Sequence, residues 1–119
     1  MKLLFVYNAD SSAFAKLKDV IHKTVSPATY QCNLCGLTYG TVSMKNEWKE
    51  FISKLNFKSD FLHKDEFKKS YPQLRDIQLP AVFTLTDNNP KQIITAGEIK
   101  RQRTLGDLEN LVLQKINSF

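Results

Sequence analysis

A chain of 119 residues, 42% hydrophobic and 24% charged, can bury one core of moderate size and is too short for two ordinary domains, so a single domain over residues 1–119 is expected. That balance excludes a disordered or a disulfide-dense chain. Its 17 Lys and Arg against 12 Asp and Glu give a net charge of +5, but the lysines are scattered through every segment, so nucleic-acid binding is not expected.

Lys2 to Tyr7 form a continuous apolar run, as in a strand buried on both faces of a parallel sheet. "NADSS" then marks a strand-to-helix turn, with Asp10, Ser11 and Ser12 as candidate N-caps. Phe14, Leu17, Ile21 and Thr24 describe one apolar stripe of a helix that ends near Val25, ahead of Pro27. After a loop holding both cysteines, Trp48, Phe51, Ile52 and Leu55 repeat the helical spacing. "FKSDFL" reads as a short strand and "KDEFKKSY" as a short helix stopped by Pro72. Asp65 and Glu66 are read there as helix partners of Lys64, Lys68 or Lys69.

In the last third, Ala81 to Thr86 and Lys91 to Thr95 predict an antiparallel hairpin joined through "DNNP" by a loop of moderate length. Thr104 and Asp107 have capping-box spacing and open a helix with Leu105, Leu108, Val112 and Ile116 inward. The basic cluster Lys100, Arg101 and Arg103 lies just ahead of it. That cluster is either a solvated turn or a holder of a phosphate or a partner's carboxylate. No phosphate-binding loop or dinucleotide fingerprint is present. No run approaches the ~20 apolar residues of a membrane span, so no membrane partner and a cytoplasmic location are expected.

Cys32 and Cys35 in "TYQCNLCGLTYG" are the only cysteines. In a compartment that keeps thiols reduced, such a pair is more often metal-binding or catalytic than a staple. Three readings stand. The first is a reversible dithiol, which needs one thiol of lowered pKa and access to a disulfide substrate. The second is a zinc knuckle, which needs further ligands. The third is a pair of packed, inert side chains. Of the two histidines, His22 falls on the side of Lys18 and Asp19 and reads as solvated. His63, at the expected sheet edge, is the candidate third zinc ligand with Cys32 and Cys35, its alternative being a hydrogen-bonded loop histidine.

The order strand, helix, loop, helix, strand, short helix, strand, strand, helix resembles the thioredoxin fold. "QLPAVFTL" is similar to its third-strand opening, where the family carries a cis-proline, here Pro80. "FVYNADS", "HKTVSPATYQCNLCGLTYG" and "HKDEF" also resemble a small, uncharacterised family of bacterial proteins. The resemblance implies an α/β three-layer fold with a central mixed sheet of about four strands and a cysteine-containing loop inserted between two helices. It departs at the active-site position, which reads "NADSS" and holds no cysteine. Two functions follow as expectations. One is thiol–disulfide exchange by a relocated Cys32–Cys35 pair, with Pro80 shaping the site. The other is a non-enzymatic binding module whose cysteine loop is zinc-held or structural and whose surface meets a protein partner.

Overall fold

Strand β1 (Lys2–Val6) runs through the middle of the computed structural model, which describes residues 1–8, 33–38 and 45–118. Leu3, Phe5 and Tyr7 enter one core, and Leu4 and Val6 enter another on the opposite face. Burial on both faces is the reason this strand is apolar throughout instead of alternating. Strand β2 (Lys58–Leu62) pairs with it in parallel, Val6 opposite Leu62. Strand β3 (Ala81–Thr86) pairs on its other side in antiparallel, Val6 opposite Ala81. With β4 (Asn89–Ile94) outermost, the sheet order is β2-β1-β3-β4.

The hairpin is tighter than the sequence suggests. Thr86 pairs with Asn89, leaving a two-residue turn in which Asp87 and Asn88 take φ of 53° and 65°. Both in the left-handed region makes this a type I′ turn, whose twist matches that of its strands, and Asp and Asn tolerate that region better than most residues. β4 therefore starts before Lys91 and takes in Pro90, opposite Leu85.

Five α-helices cover the two faces among the described residues. α1 (Asn33–Thr38) and α2 (Asn46–Lys54) bring Leu34, Leu37 and Trp48 onto the Phe5 face. The Phe5 ring meets Trp48 edge-on at 5.5 Å and stacks on Phe61 at 5.0 Å. α3 (Lys64–Ser70) covers the opposite face through Phe67, which stacks on Phe83 at 5.2 Å. α4 (Ala96–Lys100) and α5 (Leu105–Ile116) return to the first face with Ile99, Leu108 and Val112. The result is helices on both sides of a four-stranded mixed sheet, an α/β architecture. Full burial of each large side chain contributes roughly 1.5–3 kcal/mol.

Two segments differ from expectation. The cysteine stretch includes a helix, because Leu34, Leu37 and Thr38 fall on one helical face and all three are buried. Thr38 Oγ1 closes it by donating to the Leu34 carbonyl at 2.7 Å. The second is α4, in a stretch read as strand and turn. Thr95 Oγ1 accepts from the Glu98 amide at 3.2 Å while Glu98 Oε1 accepts from the Thr95 amide at 3.0 Å, a reciprocal cap. The helix expected from Phe14 to Val25, with His22, lies outside the described residues, as does Cys32. Among the described residues no helix is long and apolar enough to cross a membrane.

Candidate functional site

The strand register brings four chain segments to one end of the sheet. β1 and β2 finish there, at Val6 and Leu62, and the Tyr7 amide extends their pairing by donating to the Leu62 carbonyl at 2.9 Å. β3 begins there after a cis Leu79–Pro80 peptide, and β4 ends there at Ile94. Loops beyond the carboxyl ends of parallel strands are the usual binding place in open α/β sheets.

A cleft of about 390 Å³ opens at this end. Its floor is Leu79 and Ala96, both buried, with half-buried Ile77 beside them. Asn8 and Gln78 add side-chain amides. Around them stand Lys64, Lys68, Arg75 and Lys100, with one carboxylate, Asp76, among the described lining residues.

Each cation is placed by a local feature. Lys64 and Lys68 are one turn apart on α3, on the flank beside the anchoring Phe67. Arg75 and Asp76 follow the 3₁₀ turn Pro72–Leu74, which is held by the Arg75 amide donating to Pro72 (3.3 Å) and the Ile77 amide to Leu74 (3.1 Å). Lys100 lies one turn after Ala96 on α4. The cap at Thr95 and an ion pair from Glu98 Oε2 to Lys115 Nζ of α5, at 2.7 Å, hold that helix in place. Lys100 and Arg101 thus sit at the end of a helix, where positive charge is favourable, as well as ahead of α5.

None of the four cleft cations forms an ion pair with a described residue, whereas Lys2 and Lys115 do, with Asp60 and Glu98. Among the described lining residues, Asp76 is the one carboxylate that offsets their repulsion. Three ammonium groups and one guanidinium around the cleft give it a positive potential, which attracts negative charge.

His63 lies beside this cleft and is already engaged. It is the N-cap of α3; its amide donates to Glu66 Oε1 at 2.8 Å, and its Nδ1 lies 2.6 Å from the same oxygen. The backbone hydrogen bond from His63, then the side-chain one, hold the Glu66 carboxyl below its usual range. Glu66 therefore turns back to His63 instead of forward to the lysines. Nε2 is buried, and the ring tilts against Tyr7 at a centroid distance of 5.8 Å. The Nδ1 contact orients the ring, an arrangement shared by a hydrogen-bonded loop histidine and by a metal-ligating one.

Of the cysteine pair, the described residues include Cys35 alone, within α1. α1 packs on α4 and α5, elements that follow edge strand β4, whereas His63 follows β2 at the other edge. Among the described residues there is no group of three or more His, Cys, Asp or Glu side chains placed to hold a metal. Pro80 is buried at the mouth of β3, next to Leu79 of the cleft floor.

Comparison with protein-family models, curated proteins and solved structures finds no match to this chain.

Proposed function

We propose that this chain is a thioredoxin-like binding module that takes an anionic group of a ligand or protein partner into the cleft at the end of its sheet. The fold reading is supported by the sheet order β2-β1-β3-β4, with β1 and β2 parallel and a closing hairpin. It is supported also by the layering, α1, α2, α4 and α5 on one face and α3 on the other. The observation that carries the function is the set Lys64, Lys68, Arg75 and Lys100 around one cleft, opposed among the described residues by Asp76. Binding needs no bond to be made or broken, and the cations and amides of the lining suffice for it.

Titration with citrate and with sulfate, followed by amide NMR, tests this. Saturable shifts are expected at Asn8, Lys64, Gln78 and Ala96. The double variant Arg75→Ala, Lys100→Ala should bind about tenfold or more weakly while melting as the parent does. Shifts that never saturate, or that are unchanged in the variant, would refute the reading.

A second reading concerns the cysteines. The helix Asn33–Thr38 carries Cys35, and Cys32 directly precedes it in sequence. In this reading one thiolate attacks a partner's disulfide, forming a mixed disulfide and releasing one partner thiolate. The second cysteine then displaces the other partner thiolate, leaving a Cys32–Cys35 disulfide and a reduced partner. Its test is the zinc content and thiol count of protein purified anaerobically without chelator. No zinc, with two thiols falling to none on mild oxidation and returning with reductant, supports it; one zinc per chain refutes it in favour of a metal-held loop.

A further inference from the structure

We infer that the cleft selects a phosphomonoester carried on a small hydroxylated body, an inference that rests on the anion-binding reading above. The charge count comes first. Among the described lining residues, four cations against one carboxylate leave a positive excess after a carboxylate or a phosphodiester has bound, since each brings one negative charge. A phosphomonoester brings close to two near neutral pH, with three acceptor oxygens to share among the donors. Lysine ammonium groups suit it as adaptable point charges, and Arg75 adds a planar fork that grips two oxygens at once.

The rest of the lining describes what the phosphate is attached to. Asp76 accepts hydroxyl hydrogens, and Asn8 and Gln78 both donate and accept; Ile77, Leu79 and Ala96 give the carbon frame an apolar floor. No aromatic side chain lines the cleft among the described residues, so it offers no stacking surface for a base. At about 390 Å³ it lies near the lower end of small-molecule sites. Those features disfavour nucleotides and nucleic-acid strands and leave sugar- or polyol-sized bodies, or a phosphorylated hydroxyl side chain.

Isothermal calorimetry of the full chain at fixed ionic strength provides the test, with glucose 6-phosphate, glucuronate, dimethyl phosphate and a capped phosphoserine peptide as probes. Glucose 6-phosphate should bind about tenfold or more tightly than glucuronate or dimethyl phosphate. Lys64→Gln and Lys100→Gln should each erode that preference, and Lys91→Gln, an exposed lysine outside the cleft, should not. Asp76→Asn should raise affinity for inorganic phosphate while narrowing the gap between it and glucose 6-phosphate. Tighter binding of the phosphoserine peptide than of the sugar phosphate would keep the monoester and assign its source to a partner's side chain; the reverse order assigns it to a free metabolite. Equal affinity for glucuronate and glucose 6-phosphate overturns the inference while anion binding stands. Failure of every probe to bind overturns both.

Discussion

Removing the charge of Glu98 tests how α4, and with it Lys100 and Ala96 of the cleft, is held. Glu98 Oε1 accepts from the Thr95 amide (3.0 Å) and hydroxyl (3.3 Å), and Oε2 accepts from Lys115 Nζ at 2.7 Å. Glu98→Gln keeps an oxygen for the cap and loses the ion pair, which at these partly buried positions is worth about 0.5–1 kcal/mol. Glu98→Ala also loses the reciprocal cap. The cap adds roughly 0.5–1 kcal/mol, offset in part by alanine's better helix propensity, so the total is about 1–1.5 kcal/mol. The Lys115 hydrogen bond, then that from the Thr95 backbone, lower the carboxyl pKa of Glu98 in the folded chain. A lowered folded pKa means that the contribution is complete above the unfolded value and disappears as pH falls through the folded one. Urea unfolding should therefore show the full Glu98→Gln deficit at pH 7, a shrinking one below about pH 4, and none when Lys115 is already Met. An equal deficit at pH 7 and pH 3, or none at pH 7, would refute the clasp.

Phe67→Ala removes the side chain that seats α3 against Phe83 and should cost about 3–4 kcal/mol, read from the urea midpoint. Asn88→Ala forces a Cβ-bearing residue without a polar side chain into φ 65° and should cost about 1 kcal/mol by thermal melting, with Asn88→Gly close to neutral. Glu109 of α5 has its pKa raised by burial, then by the charge of Glu47 and a shared hydrogen bond with it. Its ionised form is thus disfavoured in the fold, and stability falls as pH rises from the unfolded pKa through the folded one. Glu109→Gln should stabilise by about 0.5 kcal/mol at pH 7 and lose that advantage at pH 3.

Elements with a long or fully buried apolar pattern were legible in the sequence. β1, β3 and α5 stand at the positions their spacing implies, and Thr104 caps α5 through the Asp107 amide at 3.1 Å as that spacing suggests. α4 was obscured because its five residues bury just Ala96 and Ile99 and directly continue a strand ending in Ile93 and Ile94; Thr95 and Glu98, at capping-box spacing, were the available signal. The cleft was hidden for a different reason. Its cations come from α3, from the loop before β3 and from α4; Lys100 stood out in the sequence as part of a basic cluster, but Lys64, Lys68 and Arg75 each look like one more scattered lysine or arginine. The Lys64–Lys68 spacing was visible, but Asp65 and Glu66 beside it suggested helix ion pairs, and only the cap at His63 shows Glu66 engaged elsewhere.

The place of Pro90 bears on how copies of this chain behave in a crowded solution. Among the described residues β4 is an outer strand, and an outer strand presents backbone groups on which another chain can grow. Pro90 has no amide hydrogen to offer an incoming strand, and the tight turn before it keeps the hairpin short and twisted. With a net charge of +5 making like molecules repel, this side of the sheet is a poor template for fibre-like stacking.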